Sequence, residues 1–462
     1  MKQKTKTSFY VGQVVELEIK KIGINGEGIG YLNRQVLFVP GALPTEIVVA
    51  KIEKVEKNFA IAKLIKIKKK SKQRIKPLCS VYEQCGGCTL QHLAYEGQLE
   101  AKRELVREAI EKYAHLKDVE IRPTIGMDNP WDYRNKAQLP LQEIKGKVLT
   151  GLYEMGSHRL VDISSCPIQH PKVNEMIQVA RDVIQELGIP IYNERKRKGV
   201  VKHLVARIGF ETEEAQLTFI TATEEIPRVK ELILELRYRL PYLKSIMQNI
   251  NPVKTSIIFG NKTKVLWGEE RIIERLNGIE FSLSPRAFFQ LNPEQTVKLY
   301  TEVEKAAALT GNEVVVDAYC GVGTIGLWLA KSAKEVHGMD IIKEAIEDAR
   351  KNAEAGGYTN VKYTLGKAEE ILPRWVNNGF QIDVLIVDPP RTGLDPKLLE
   401  TILQVKPKRF IYVSCNPSTL GKDLAILLKG GYQVEYIQPI DMFPQTSHVE
   451  VIAKLVLKDT VD

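Results

Sequence analysis

The chain has 462 residues, of which 44% are hydrophobic and 27% charged. These proportions exclude a disordered or fibrous protein, and the length is that of two or three domains. Residues 1–76 carry 17 basic and 6 acidic side chains, net +11, while the remainder carries 49 and 51, net −2, so the whole excess of +9 lies in the first sixth of the chain. A positive field so localised suits a polyanion held by one module, nucleic acid before anionic lipid. A membrane is not expected, because no apolar run approaches the ~18 residues of a spanning helix, and residues 1–10 lack the apolar core of a signal peptide. The expected location is the cytoplasm, where six sparse Cys point to metal binding or catalysis rather than disulfides.

Residues 11–67 alternate apolar and polar side chains, as in Val15-Glu16-Leu17-Glu18-Ile19, with breaks at Gly23, Gly26, Gly28, Gly30 and Pro40-Gly41. Short strands parted by turn residues predict a small antiparallel β-barrel, of the oligonucleotide-binding kind or another. Lys66, Lys68, Lys69, Lys70, Lys72, Arg74 and Lys76 follow it without a matching acidic run, which favours phosphate contact. Residues 95–116 read as an amphipathic helix with Leu99, Leu105, Val106, Ala109 and Ile110 on one face. Residues 121–280 mix strands and helices in an α+β pattern and hold a second basic stretch, Arg195-Lys196-Arg197-Lys198 and Lys202-His203. From Gly311, apolar strands at 314–316, 335–339, 382–387 and 409–413 alternate with helices. That order predicts a doubly wound, mostly parallel sheet, with ligands outside the carboxyl ends of its strands.

The first of these strands runs into a loop in which Gly321, Gly323 and Gly326 fit G-x-G-x-x-G, a weak signal for a dinucleotide on a helix N-terminus. Asp317 ends the strand, where a carboxylate can stabilise a cationic group, and Asp340 ends the next, where it can accept from ribose hydroxyls. This pairing suits S-adenosylmethionine, with its sulfonium and amino acid end, better than a nicotinamide dinucleotide. A nicotinamide oxidoreductase is the rival reading from another class, and a catalytically silent RNA-binding protein is a third.

Asp388-Pro389-Pro390-Arg391 follows the next strand of this series, with Arg391 where enzymes acting on exocyclic adenine amines place a stacking aromatic residue. Ser414-Cys415-Asn416-Pro417 follows the last, which sets a thiol at the sheet rim beside the cofactor loop. Carbon 5 of uracil is too weak a nucleophile to attack a methyl sulfonium directly. Thiolate addition at carbon 6 makes carbon 5 enolate-like, and a base must later take its proton so that the thiol can leave. Asp388 can orient the uracil edge, and His448-Val449-Glu450, in a hairpin pattern that would close the sheet, offers Glu450 as base with His448 in support.

Phe288-Phe289-Gln290-Leu291-Asn292, the 317–324 loop, Asp388-Pro389-Pro390-Arg391, Ser414-Cys415-Asn416-Pro417 and His448-Val449-Glu450 stand in the order seen in RNA uracil-5-methyltransferases. The chain resembles that family along nearly its whole length. The resemblance implies that Cys415 is the nucleophile, that Glu450 is the base, and that Gln290, Tyr319, Asp340 and Asp388 bind the cofactor. It sets Phe288 near the target base. Asp340 stands where the family usually has Glu, and Cys320 belongs to the cofactor loop.

Cys79, Cys85 and Cys88, in a C-x5-C-G-G-C arrangement, together with Cys166-Pro167, could hold zinc or an iron-sulfur cluster, and the three-plus-one spacing favours [4Fe-4S]. The ribosomal RNA members of the family have such a cluster together with an N-terminal barrel, the TRAM domain, whereas the bacterial transfer RNA enzymes generally lack both. The resemblance therefore implies 23S ribosomal RNA as partner, with transfer RNA as the alternative; no protein partner is implied. The expected architecture is a TRAM-like, OB-like barrel (1–66), a central α+β iron-sulfur domain (77–285) whose helix 95–117 packs on the catalytic domain, and an α/β Rossmann-like methyltransferase domain (286–462).

Overall fold

The computed structural model describes residues 9–458. The first eight residues of the expected barrel module, with Lys2, Lys4 and Lys6, lie outside the described residues, as do residues 459–462. Strands β1 (Val14–Ile22), β2 (Gly28–Leu32), β3 (Gln35–Val39), β4 (Ile47–Val55) and β5 (Phe59–Lys69) close a barrel in the order β1-β2-β3-β5-β4. The period-two pattern fills it: Val15, Leu17 and Ile19 point inward with Leu37, Val48, Ile52 and Ala60, while Glu16 and Glu18 face solvent. The basic run does not act as one block. Arg74 is spent on the buried Glu46 carboxylate (2.6 and 2.7 Å) and the Gly41 carbonyl, and Lys68 pairs with Glu16. Lys66, Lys69, Lys70, Lys72 and Lys76 remain exposed.

The middle of the chain comprises α1 (Tyr95–Ala109), β6 (Glu120–Ile121), β7 (Lys136–Ile144), β8 (Lys147–Tyr153), β9 (Leu160–Asp162), α2 (Pro171–Glu186), β10 (Val201–Ile208), β11 (Ala215–Thr221), α3 (Val229–Arg239), β12 (Leu243–Ile250) and β13 (Lys262–Gly268). Here α2 and α3 cover a sheet ordered β13-β12-β11-β10-β7-β8-β9. The hairpin β14 (Ile272–Leu276) and β15 (Ile279–Leu283) buries Ile272, Leu276, Phe281 and Leu283 in the core of the C-terminal sheet that follows.

That sheet is built from α4 (Pro293–Ala307), β16 (Val314–Ala318), α5 (Thr324–Leu329), β17 (Glu335–Asp340), α6 (Lys343–Ala355), β18 (Val361–Leu365), α7 (Ala368–Asn377), β19 (Val384–Val387), α8 (Pro396–Val405), β20 (Arg409–Ser414), α9 (Pro417–Lys429), β21 (Tyr432–Ile440) and β22 (Glu450–Leu457). The strand order is β18-β17-β16-β19-β20-β22-β21-β6. The first five strands are parallel and β22 runs antiparallel to both β20 and β21. Every side chain of β19 is buried, as expected of a central parallel strand. The order reverses between β16 and β19, the crevice where such sheets bind ligands.

Helix α1 departs from the expected apolar face. Its buried face carries Gln98 and Lys102 with Val106 and Ala109, while Leu99 and Leu105 are only partly buried, and a π-helical turn (Ile110–Ala114) completes it. The reason is the loop between β21 and β22. Lys102 forms a fully buried ion pair with Asp441 and donates to the Phe443 carbonyl (3.1 Å). Tyr95 donates to Asp441 (2.9 Å), and Gln98 exchanges two bonds with Gln445 (3.0 and 2.9 Å). Removing one member of a buried pair strands the other charge, so Lys102→Met is expected to lose about 3–5 kcal/mol, read as a lowered urea midpoint. Among the described residues no helix is long and apolar enough to cross a membrane.

Candidate active site

The C-terminal ends of β16, β17, β19 and β20 deliver Asp317, Asp340, Asp388 and Cys415 to one rim. Asp317 is fully buried. One carboxylate oxygen accepts from the Gly326 amide (2.9 Å) and the other has no hydrogen-bond partner. Burial, with help from Asp388 and Asp340, pushes it up to about 8. The chain then turns through Tyr319 (φ 67°), Gly321 (φ 55°) and Gly323 (φ 82°) into α5. At Gly323 an added Cβ would lie 2.2 Å from the Tyr363 hydroxyl, so glycine is required there both for its left-handed backbone and for space. Asp340 accepts from the Gly321 amide (3.0 Å) and the Ile342 amide (2.9 Å) and lines a cavity of about 370 Å³ with Tyr319, Met339, Ile341 and Pro390.

The nucleophile candidate sits on a stiff strand-to-helix turn. Asn416 caps α9 by accepting from the Ser418 amide (3.1 Å), with Pro417 at the first helical position. The Asn416 side-chain Nδ2 also donates to the Arg391 carbonyl (2.9 Å), which ties the Cys415 loop to the Asp388 loop. Burial pushes the Cys415 thiol up to about 11, with Glu450 and Asp388 adding to the shift and Arg391 opposing it. Asp388 rises to about 7 through loss of hydration. Glu450, the first residue of β22, is 6% exposed and rises well above the ordinary carboxylate range through burial and Asp388. Asp317 and Asp388, raised by burial, with an orphan oxygen on Asp317, are matched to a cationic ligand.

A second cavity of about 160 Å³ opens on Cys415. It is walled by Arg391 and Asn416, by Ser447, His448 and Val449, by Leu105 and Ala109 of the α1 helix, and by Ile24 and Asn25 of the barrel. A third, of about 320 Å³, is lined by Cys79, Cys85, Cys88 and Cys166 together with Arg134, Lys136 and Phe288. Burial pushes Cys88 up to about 12 and Cys166 to about 11, each raised further by the neighbouring thiols. All four cysteines are free. The four cysteines expected to hold a metal line one cavity, but among the described residues no group of three or more His, Cys, Asp or Glu could hold a metal ion.

The family model described as tRNA (uracil-5-)-methyltransferase matches residues 243–458, and the TRAM domain matches residues 8–65. The chain is 58% identical to a Bacillus anthracis protein named as an uncharacterized RNA methyltransferase, covering 97% of this chain and 98% of that protein. It is 56% identical to a similarly named protein of Halalkalibacterium halodurans, covering 98% and 99%. The crystal structure of the Pyrococcus abyssi tRNA (uracil-54, C5)-methyltransferase with S-adenosyl-L-homocysteine is similar at a TM-score of 0.77 and 32% identity, covering 96% of this chain and 99% of that one. The chain belongs to the RNA uracil-5-methyltransferase family. It is an S-adenosylmethionine-dependent enzyme, and the nicotinamide oxidoreductase and silent binding-protein readings are set aside.

In this methyltransferase Tyr319 and Asp340 share the larger rim cavity, while Asp388, Cys415 and Glu450 influence one another electrostatically beside it. Phe288 and Gln290 line neither the rim cavity nor the cavity at Cys415. Phe288 is 64% exposed and lines the thiol cavity, and the Gln290 carbonyl accepts from Asn135 (3.0 Å), the residue between Arg134 and Lys136. Sequence reasoning passed over Ile24, Lys102, Gln98 and Gln445, whose parts depend on contacts between distant segments. It took Arg391 only as a missing aromatic, although Arg391 is the cation that opposes the thiol and carboxylate shifts.

Proposed function

We propose that this methyltransferase transfers the methyl group of S-adenosylmethionine to carbon 5 of a uridine in 23S ribosomal RNA. The observation that carries the reading is a thiol at the β20 rim coupled electrostatically to Asp388 and Glu450, two carboxyl groups that burial raises above the ordinary carboxylate range. The cofactor supplies an electrophilic methyl group. Asp317 receives its cationic end, and Asp340 with Tyr319 receives the nucleoside. Cys415 adds to carbon 6, Asp388 holds the uracil edge, and Arg391 lowers the cost of thiolate. After methylation Glu450, as carboxylate, takes the carbon 5 proton and the carbon 6–sulfur bond breaks, freeing Cys415. Gln290 and Phe288 are assigned to cofactor and base on the family resemblance.

Asp317 must be ionised to hold the cationic end of the cofactor. Its folded-state value lies above the unfolded range, so it subtracts stability as pH rises toward about 8, and a bound cation restores it. Affinity for S-adenosylmethionine should therefore weaken by at least about tenfold from about pH 8.5 to about pH 6 by calorimetry, and a flat profile would contradict the assignment.

The same reading gives Cys79, Cys85, Cys88 and Cys166 to a [4Fe-4S] cluster. Four partly buried thiols round one cavity support it, as do Arg134 and Lys136 on the cavity wall, whose side chains have no hydrogen bond or ion pair among the described residues and suit an anionic tetrathiolate occupant. Anaerobic reconstitution should yield a brown protein with equal iron and acid-labile sulfide, lost in Cys88→Ser. Zinc alone at the site would overturn it.

Ribosomal RNA rests on the combination of barrel and thiol centre. The rival, transfer RNA, is favoured by the whole-length likeness to the Pyrococcus abyssi enzyme. Mapping 5-methyluridine in both RNAs from a strain lacking this protein decides between them: loss from 23S RNA supports the proposal, and loss from transfer RNA alone overturns it.

A further inference from the structure

The barrel does more than supply charge, because one of its turns forms part of the cavity that opens on Cys415. The turn between β1 and β2 is held rigidly. The Gly23 amide donates to the Glu27 carbonyl (2.7 Å), and the Glu27 carboxylate accepts from the Asn25 amide (2.9 Å) and the Asn25 side chain (3.2 Å). At Gly26 (φ 87°) an added Cβ would lie 2.6 Å from Thr89, so the turn is seated without clearance. Ser447, three residues before Glu450, donates its hydroxyl to the Ile24 carbonyl (2.7 Å), and its amide donates to Thr89 (3.1 Å). The outcome is a β-branched apolar side chain, 50% exposed, presented beside the nucleophile. Such a side chain is stiff about χ1, and nothing in the folding of the barrel core requires it to be apolar, since Ile24 lies outside that core.

For carbon 6 of the uracil to meet the Cys415 sulfur, the uridine must leave its stack, and the base next to it loses a stacking face. We propose that Ile24 is the surface on which that neighbouring base packs, a wedge that occupies the gap and holds the uridine turned toward Cys415. The occupant is a base of the substrate RNA, because the site lies on a module whose exposed lysines suit phosphate and within the same cavity as the reacting thiol. This inference rests on the uridine methylation proposed above and adds a residue that contacts substrate from a separate domain.

The test uses the full-length protein and an RNA hairpin carrying the target uridine, plus two versions with an abasic nucleotide on its 5′ or its 3′ side. Ile24→Ala should lower kcat/KM on the intact hairpin by about 10- to 100-fold, and Ile24→Phe should keep most of the activity. On one of the two abasic RNAs the Ile24→Ala and wild-type rates should converge, because there is no base left to pack. Total RNA affinity and its salt dependence, set by phosphate contacts, should stay within about twofold. Equal rates on all three RNAs overturn the proposal, and so does an equal loss on all three, which would mean that Ile24 only positions the barrel. A wild-type protein that methylates none of these RNAs but methylates another nucleoside defeats the uridine reading itself, and the wedge with it.

Discussion

Cys415→Ala is expected to lower methyl transfer by at least about a thousandfold, since the whole scheme depends on one thiol reaching carbon 6. No other cysteine can replace it. Cys320, the nearest in sequence, is 5% exposed and packs in the core beneath the cofactor loop, and the other four surround a separate cavity. The turn that carries Cys415 is fixed by the Asn416 cap and by the bond to Arg391, so alanine should leave the fold and cofactor binding intact. RNA containing 5-fluorouridine gives a second readout. After methylation its carbon 5 bears fluorine in place of the removable proton, so the adduct cannot collapse, and the wild-type protein should run as a covalent RNA complex in denaturing gels. Cys415→Ala should give none. A variant that still methylates or still cross-links would eliminate Cys415 as the nucleophile.

Glu450→Gln should separate the two halves of the reaction. Glutamine keeps the shape of the side chain and the pairing of residue 450 with Ile440, but it cannot accept the carbon 5 proton. Addition and methylation should then proceed about once per enzyme, with multiple turnover falling by about 10²- to 10⁴-fold and a protein–RNA adduct accumulating on ordinary uridine RNA. Equal steady-state rates for variant and wild type would remove Glu450 from the role of base.

Much of this site was legible because a parallel sheet places its chemistry just beyond strand ends. Asp317, Asp388 and Cys415 follow apolar runs that become β16, β19 and β20, and Asn416-Pro417 marks the helix start that fixes the thiol. Glu450 was legible as the start of a closing strand. What escaped depends on distance along the chain. Ile24 is joined to Ser447 across 423 positions, and no local pattern signals such a contact. On α1 the helical period points to Leu99 and Leu105, yet the buried face holds Gln98 and Lys102, because the β21–β22 loop supplies the hydrogen bonds and the opposite charge that those groups need once out of water. Strand β18 was missed because Val361–Leu365 is short and alternates polar residues at the sheet edge. The four cysteines were legible as a group, but the Arg134 and Lys136 side chains beside them become visible only once β7 and its approach line the same cavity.

The most direct test incubates the purified protein with unmodified 23S ribosomal RNA, unmodified transfer RNA and methyl-labelled S-adenosylmethionine, and identifies the labelled nucleoside by mass spectrometry after digestion. The expected result is label in 5-methyluridine from the ribosomal RNA, with the carbon 5 proton released to solvent. Label in any nucleoside other than 5-methyluridine, or in transfer RNA alone, would contradict it.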